Sequence, residues 1–541
     1  MTFRSRYIVR LPATRMGLIS RSLFGFIGAL WVFGMQLVRP QVLDPTSPRA
    51  ETVVTAEQLN ELISSGRKAA HLYCQSCHLF PEPNFLDKRT WIEQVLPRKK
   101  VRLGLFPSAL EKHPESNLLK ASGAYLDSPL MSLEEWNSIM AYYAAAAPTA
   151  PLPQDPRQEI AVGLKFFRVE MPKFRHAVAS STMVKFNPKD RRIYVGDAET
   201  KALDIATPDG EYVQSIKLEN IPVALTDDGM GLFVTLIGSF VPTEKRLAGL
   251  SFLERTSGGF KPPKAILKDL PRATDTQFAD LNGDGRTDFA ICLFGNSAGR
   301  FSWFENAGDG EYKEHPLIEK AGAAKCVLQD FSGDGKVDIA VLIAQELESL
   351  LIFKNDGKGN FTSETVFQRH PLFGHTYFEP VDFNRDGRMD FLVTNGDNGE
   401  YPSPTKKYHG VRVYLNKGEG RFEEKFFFPL NGAFKAVARD FDGDGDLDLA
   451  AISFFPDYER SPEESFVFLE NRGGQQFAVA TFRETISGRW LTMDAADIDG
   501  DNDLDLILGS HIHGPSEVPD FLMKDWEKGG PPFVVLRNTT R

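Results

Sequence analysis

The chain has 541 residues and a formal net charge of −11, a length that is typical of two or more domains. Residues 1–50 carry a charge of +6, so the remainder carries −17. This acidic excess argues against nucleic acid as a partner, because nucleic-acid binding depends on cationic side chains that neutralise phosphates. It favours bound cations instead, which would offset the repulsion between carboxylates. Four cysteines are too few for a disulfide scaffold.

Residues 1–40 have the pattern of an export segment, because a basic start precedes an apolar run at residues 22–38. The basic residues are Arg4, Arg6, Arg10, Arg15 and Arg21. The apolar run of 17 residues is just long enough to span a bilayer as a helix. No small-x-small cleavage site follows it, so we expect an uncleaved membrane anchor, with a cleaved signal peptide as the alternative. Both interpretations place the rest of the chain outside the cytoplasm, in the periplasm.

Residues 55–147 are predicted to be mostly helical. Thr55 with Gln58, and Ser132 with Glu135, have the spacing of capping boxes that open helices. The first helix leads towards Cys74, and the second covers residues 133–147, where large apolar side chains recur at helical spacing. A further short helix is predicted at residues 90–95.

The first predicted helix leads into Cys74, Cys77 and His78, which form C-x-x-C-H, the attachment signature of a covalent c-type haem. The two thiols can bond the haem vinyl groups, and the histidine is then placed to bind the iron. A zinc site would need a second ligand pair, but the other cysteines, Cys292 and Cys326, are distant and are expected to be buried core thiols. A thioredoxin-like dithiol would need a βαβ setting, which nothing around Cys74 indicates.

The helix before this motif and the aromatic-bearing helix at residues 133–147 resemble a small class I cytochrome c domain, in which two terminal helices cross over the haem. The resemblance implies an all-α domain at residues 55–147 that holds one haem c. It also implies a distal methionine in a Leu-Pro-x-Met stretch, but here Leu96-Pro97 is followed by Lys99 at the methionine position. The candidates for the distal ligand are therefore Met131, which we prefer, Met140, Lys99, His113, or no residue at all.

Residues 148–159 are predicted to be a stiff linker, because four prolines lie within residues 148–156. The sequence beyond it is rich in short β-like runs, and one motif, D-x-[D/N/S]-x-D-[G/N]-x-x-D, recurs five times at intervals of 50, 52, 58 and 57 residues. Its oxygen-bearing positions 1, 3, 5 and 9 are Asp280, Asn282, Asp284 and Asp288; Asp330, Ser332, Asp334 and Asp338; Asp382, Asn384, Asp386 and Asp390; Asp440, Asp442, Asp444 and Asp448; and Asp497, Asp499, Asp501 and Asp505.

A period near 50 residues with several strands in each unit indicates a β-propeller. The repeats resemble the FG-GAP/VCBS family, the integrin-α type of seven-bladed propeller. Residues 174–270 would supply two further blades without an intact loop, and Asp227 begins a decayed one. The fold class expected for the whole chain is therefore multi-domain: an N-terminal anchor or signal helix, a small all-α cytochrome c domain, and an all-β seven-bladed propeller at residues 160–541.

The repeated loops offer the oxygen-only, partly carboxylate shell that calcium prefers. An EF-hand shares the first six positions but needs Glu at position 12 and flanking helices, whereas here position 12 is apolar and β-like runs follow. The other alternative is a set of Asp/Gly-rich turns that only shape hairpins. We expect about five structural Ca²⁺ ions, one for each loop.

The combined pattern predicts an extracytoplasmic electron-transfer protein with a haem c and a calcium-stabilised propeller that docks a redox partner protein or a small-molecule electron donor. No catalytic motif is recognisable, so an electron carrier is favoured over an enzyme. One alternative is an oxidoreductase, a dehydrogenase whose propeller binds a substrate and passes electrons to the haem. Another is an adhesion or glycan-binding propeller with an accessory haem. Fold alone does not decide between these functions.

Overall fold

The computed structural model describes residues 55–399 and 403–540. The export segment predicted at residues 1–40 lies outside the described residues. Within the described part, none of the helices combines the length and the apolar character that crossing a membrane requires. The chain folds into a helical region followed by a β-propeller.

Both predicted capping boxes are confirmed. Thr55 Oγ1 accepts the Gln58 N–H at 3.2 Å, and Gln58 returns a bond to the Thr55 N–H at 2.9 Å; Ser132 and Glu135 form the same reciprocal pair. The predicted helix at 90–95 is part of a longer one, because a π turn at Trp91–Val95 joins two α segments. The helices of this region are α1 (Ala56–Tyr73), α2 (Lys88–Thr90), α3 (Leu96–Arg102), α4 (Pro107–Glu111), α5 (Ser116–Ala121) and α6 (Leu133–Ala146).

Helices α1 and α6 pack closely against each other. A Cβ atom at Gly66 would lie 1.9 Å from the Ser138 carbonyl oxygen, so only glycine allows this approach. The core beside the crossing contains Trp91, Trp136 and Tyr143. The arrangement agrees with the expected crossing of terminal helices, but a crossing alone does not identify a haem domain.

The rest of the described chain forms seven sheets, which confirms the predicted number of blades. Two strands precede the first complete blade: β1 (Ala161–Val162) and β2 (Phe167–Glu170). Blade 1 contains β3 (Ser181–Asn187), β4 (Arg192–Asp197), β5 (Ala202–Ala206) and β6 (Tyr212–Lys217); blade 2 contains β7 (Pro222–Asp227), β8 (Gly231–Leu236), β9 (Ala248–Thr256), β10 (Gly259–Phe260) and β11 (Lys264–Leu270); blade 3 contains β12 (Ala273–Ala279), β13 (Asp288–Leu293), β14 (Arg300–Gly308) and β15 (Glu311–Ile318).

Blades 4 to 7 contain the remaining strands, and α7 (Asp520–Gly529) lies between the last two strands in chain order. Blade 4 contains β16 (Ala323–Gln329), β17 (Asp338–Ile343), β18 (Ser349–Asn355) and β19 (Phe361–Gln368); blade 5 contains β20 (His375–Val381), β21 (Asp390–Asn395), β22 (Gly410–Asn416) and β23 (Phe422–Pro429); blade 6 contains β24 (Ala433–Arg439), β25 (Asp448–Ser453), β26 (Phe466–Asn471) and β27 (Phe477–Thr481); blade 7 contains β28 (Trp490–Ala496), β29 (Asp505–Ser510) and β30 (Phe533–Asn538).

The first strand of each blade contacts the first strand of the next, and β28 returns to β3, so these seven strands form a closed inner ring. Strand β2 is the outer strand of blade 7, where it pairs antiparallel with β30. The ring is therefore closed by strands from the two ends of the propeller sequence. Arg537 supports this closure with ion pairs to Glu170 at 3.2 Å and to Asp505 at 3.0 Å. The buried apolar faces between neighbouring blades form the propeller core.

Candidate functional site

The C-x-x-C-H residues lie in the loop that follows α1. Cys74 is the C-terminal cap of the helix, and both Cys74 and Cys77 are free thiols. Cys74 packs at the edge of the helical core, whereas Cys77 is exposed. Burial raises the pKa of Cys74 to about 11, so this sulfur is held as a thiol.

The His78 ring is oriented by its own neighbour. Its Nδ1 lies 2.7 Å from the Leu79 carbonyl oxygen, and because a carbonyl only accepts, Nδ1 carries the proton. The Nε2 lone pair is therefore available for a metal, the tautomer that metal-binding histidines use. Burial lowers the pKa of His78, and the nearby Lys99 lowers it further.

A propeller residue contacts His78 directly. The His370 ring lies edge-on to the His78 ring, with 4.7 Å between ring centroids and 86° between ring planes. His370 is 6% exposed and caps the short 3₁₀ turn Pro371–Phe373, where its Nδ1 accepts the Leu372 N–H at 3.1 Å. Its Nε2 is buried and has no hydrogen-bond partner among the residues that the structure describes. Burial lowers the pKa of His370 to about 2, so the ring is neutral.

A cleft of about 390 Å³ lined in part by His370 opens between the helical region and blade 5. The helical region lines it with Leu79, Phe80 and Phe85. The propeller lines it with Gln368, Arg369, His370, Phe373, Tyr408, Arg412 and Glu424. Both arginines are paired with Glu424, at 3.1 Å from Arg369 and more closely from Arg412. The cleft is therefore largely aromatic, with its arginine charges already compensated.

Specific contacts hold the helical region against the propeller around this cleft. Phe85 contacts the Tyr408 ring, and the Tyr408 hydroxyl donates to the Phe85 carbonyl at 3.3 Å. At a second point, Glu115 accepts bonds from the Thr243 hydroxyl at 2.6 Å and the Glu244 N–H at 2.9 Å. The linker also follows the propeller, since Gln154 donates to the His409 carbonyl at 2.9 Å.

The candidates for the distal ligand fall in different places. Met131 is 5% exposed in the helical core, which Met140 and Cys74 also contact. His113 is exposed, and its Nδ1 accepts the Glu115 N–H. Lys99 is half-buried close to the motif, and burial lowers its pKa. His370, whose ring contacts His78, was not among these candidates. The sequence does not show that the fold brings this residue to the motif.

The five acidic loops fall into two groups. In the fourth and fifth loops, carboxylate oxygens of positions 1, 3 and 5 lie within 4.8 Å of one another. These residues are Asp440, Asp442 and Asp444, and Asp497, Asp499 and Asp501. In the first three loops position 7 is basic and pairs with the position-5 carboxylate: Arg286 with Asp284, Lys336 with Asp334, and Arg388 with Asp386. A cation would have to compete with these position-7 ion pairs in the first three loops, whereas in the fifth loop Asp499 at position 3 lies 3.7 Å from Arg537.

The aspartate at position 9 has a structural role that the sequence did not indicate. Asp338, for example, is fully buried, and its two oxygens accept the Phe331 N–H at 3.0 Å and the Asn355 N–H at 2.8 Å. The same pattern joins each such aspartate to an asparagine near the end of the third strand of its blade; the pairs are Asp288 with Asn306, Asp338 with Asn355, Asp390 with Asn416, Asp448 with Asn471, and Asp505 with Asn538. We call this contact the Asp–Asn lock. The asparagines recur visibly in the sequence, but only the structure explains them.

The inner ring of strands carries a group of ionisable side chains. The ammonium groups of Lys325 and Lys435 lie 4.9 and 4.7 Å from the centre of the Tyr377 ring. Lys325 also lies 3.7 Å from Asp275. Burial lowers the pKa of Lys435 to about 8, so this lysine titrates unusually close to neutrality.

The FG-GAP-like repeat model matches the chain at residues 280–341, 330–393 and 440–508. The chain therefore carries FG-GAP-like repeats on a seven-bladed propeller. No curated protein matches the chain.

Two solved structures are similar at the level of overall shape. One is the crystal structure of BBS1N in complex with ARL6DN, at 12% identity and a TM-score of 0.39, covering 68% of this chain and 96% of that one. The other is Sqt1 from Saccharomyces cerevisiae, at 9% identity and a TM-score of 0.41, covering 68% of this chain and 98% of that one. At TM-scores below 0.5, neither similarity carries an argument about function.

Proposed function

We propose that the protein is a periplasmic electron carrier with one haem c bound through Cys74, Cys77 and His78. The observation that carries the proposal is the motif itself: two free thiols and a histidine with an available Nε2 lie on one loop, and the next residues, Leu79 and Phe80, line an aromatic cleft between the helical region and the propeller. A bound haem would supply reversible one-electron chemistry there. Its thioether attachment is made outside the cytoplasm, which agrees with the export pattern at residues 1–40.

The residues present fit such a group. The thiols stand on one loop, as thioether formation requires, and the Leu79 carbonyl fixes the His78 tautomer. Phe80, Phe85 and Phe373 line the cleft and would exclude water from a cofactor beside them, which adjusts its reduction potential. The electron donor would be a redox partner protein or a small molecule that docks at the propeller surface, and the N-terminal segment would tether the protein to the membrane.

Calcium is the second component of the proposal. The converging carboxylates of the fourth and fifth loops would repel one another without a cation and suit a hard divalent ion. In the first three loops the basic residue at position 7 already neutralises one carboxylate. We therefore expect tighter calcium binding in loops four and five than in loops one to three, with the ions stabilising the blades rather than taking part in a reaction.

Expression of the full chain in a bacterial host that attaches haem c tests the haem component. Mass spectrometry of the exported protein should show the added mass of one haem, and the double variant Cys74→Ser/Cys77→Ser should lose it. Gln75→Ala, which changes the same loop but keeps C-x-x-C-H, is the matched control and should retain the haem. Exported protein with two free thiols and no porphyrin would refute the electron-carrier proposal.

A dehydrogenase is the second candidate, and the lysines over Tyr377 in the inner ring are the observation that favours it. Propellers bind substrates at their central channel, and a lysine that loses its proton near pH 8 can act as a base or nucleophile. Haem reduction by the purified protein that depends on an added substrate, and that Lys435→Met abolishes, would support this candidate over a simple carrier.

A further inference from the structure

We propose that the central channel of the propeller binds a small monocarboxylate through Lys435, Tyr377 and Lys325. The dehydrogenase candidate rests on the same side chains, and the inference adds the class of molecule that they bind. It does not depend on the haem, because the contacts that carry it all lie on the inner strands of blades 4, 5 and 6.

The three side chains occupy the same position on neighbouring blades. Each is the third residue of the first strand of its blade: Lys325 in β16, Tyr377 in β20 and Lys435 in β24. In all three strands the pairing with the second strand shifts register just before this residue. Because the first strands of successive blades contact one another, the three side chains lie at one level of the inner ring, with both lysines against the Tyr377 ring.

The polar atoms of this group lack partners within the part of the chain that the structure describes. The Lys435 ammonium has neither a hydrogen bond nor an ion pair there, and it lies 4.7 Å from the centre of the Tyr377 ring. The Tyr377 hydroxyl has no hydrogen bond there either. Asp275, which pairs with Lys325, is 3.7 Å from its ammonium, beyond hydrogen-bond distance. The Lys325 side chain is 21% exposed, so open space reaches these donors and an acceptor can enter.

The carboxylates around the group are already used by other partners. Each accepts a backbone N–H, and two of them also pair with another cation. The bonds run to Asp275 from the Cys326 N–H at 3.2 Å, to Glu379 from the Ala438 N–H at 3.3 Å and from Arg439, and to Asp494 from the Phe186 N–H at 2.9 Å and from Lys185 at 3.4 Å. None of these carboxylates forms an ion pair with Lys435, so its counter-ion must come from outside the described chain.

The balance of charge indicates the class of ligand. The charged groups that act on the Tyr377 ring or on the two lysines beside it are the cations Lys185, Lys325, Lys435 and Arg439 and the carboxylates Asp275, Glu379 and Asp494. Four cations against three carboxylates leave one positive charge in excess, which a monoanion neutralises, whereas a dianion would leave a negative charge uncompensated. A carboxylate offers two acceptor oxygens, one for an ammonium and one for the Tyr377 hydroxyl.

Calorimetric titration of the purified full chain with acetate, propionate and lactate at pH 8 tests the site. Propionate should bind at one site per chain, and propionamide, which has a similar shape without the charge, should not bind. Burial lowers the pKa of Lys435 to about 8, and a bound carboxylate favours its protonated form. Binding should therefore take up a fraction of a proton, measured as a heat that depends on the ionisation enthalpy of the buffer.

Three variants assign the binding to the channel. Lys435→Met should weaken propionate binding about tenfold or more and abolish the proton uptake. Lys435→Arg, which keeps the charge, should retain binding without proton uptake, and Tyr377→Phe should weaken binding about threefold because it removes only the hydroxyl. Lys313→Met is the matched control: it makes the same substitution at an exposed, ion-paired lysine of β15 and should leave the affinity unchanged.

The inference is overturned if none of the three monocarboxylates binds, if Lys435→Met binds propionate as well as the wild type does, or if inorganic phosphate binds more tightly than propionate. Equal binding of propionamide would also overturn it, because the charge would then play no part. None of these results bears on haem attachment. Propionate or lactate binding that never reduces the haem would support the inference and count against the dehydrogenase, so the two failures are distinguishable.

Discussion

The asparagine side chains of the Asp–Asn locks give a quantitative prediction that does not depend on any cofactor, because an alanine there keeps the backbone N–H that the aspartate accepts and removes only the side-chain bonds. Asn355 is 5% exposed, and its side chain makes three hydrogen bonds: Nδ2 donates to the Leu281 carbonyl at 2.8 Å and the Val337 carbonyl at 2.9 Å, and Oδ1 accepts the Gly357 N–H at 2.9 Å. The first of these reaches back to the loop of blade 3. At about 1 kcal/mol for each buried bond, Asn355→Ala should lower the free energy of unfolding by about 3 kcal/mol.

Asn306 is the matched control, because it holds the same position in blade 3 in a more exposed setting. Its side chain makes two longer bonds, to the Thr287 carbonyl at 3.2 Å and from the Gly308 N–H at 3.1 Å. Asn306→Ala should cost about 1 kcal/mol. Urea unfolding followed by tryptophan fluorescence and circular dichroism measures both differences at unchanged slope. If the two variants lose equal stability, the bond reaching into the neighbouring blade does not hold blades together and the reasoning is wrong.

Three further predictions follow from ions and charges. Calorimetric titration should find calcium bound more tightly at loops four and five. The double variant Asp444→Asn/Asp501→Asn should remove these tighter binding sites and the loss of melting temperature on chelation. An unaltered titration would contradict the assignment. Arg537→Met should cost about 3–5 kcal/mol because it leaves the buried Asp505 without its cationic partner. A loss below about 1 kcal/mol would show that ring closure does not depend on this pair. The pKa of Lys435 is about 8 in the folded protein and 10.5, its ordinary value, in the unfolded chain, so the free energy of unfolding should rise with pH between these values. Lys435→Met should flatten this rise in thermal unfolding scans. An equal dependence of melting temperature on pH in both proteins would refute the prediction.

The propeller could be predicted from local patterns because each blade repeats the same chemistry. Five loops set the period, and the two blades without intact loops followed from their β-like runs. The decayed loop of blade 2 has a physical explanation: Asp227 is held by Arg255, Lys189 and the Asn187 amide. Two side-chain cations and an amide therefore surround the Asp227 carboxylate. The repeat motif does not predict these partners.

The capping boxes were equally predictable, since their hydrogen bonds involve residues three positions apart. The docking of the helical region on blade 5 could not be predicted from the sequence. The contact between His78 and His370 joins residues far apart in the chain, and a single histidine before a proline turn has no distinctive pattern. The preference for Met131 as the distal ligand relied on its place before the last helix, and it stays a prediction.

The pairing of β2 with β30 has a consequence for biosynthesis. Strand β2 is synthesised early, and β30 is synthesised after the other described strands. Until then the growing chain is an open arc in which β2 has no partner strand. A prematurely terminated product that lacks residues 533–538 can never close this arc. Such fragments would expose an unpaired strand edge, which can pair with another chain and aggregate. In the finished chain, β30 pairs with β2 and covers that edge.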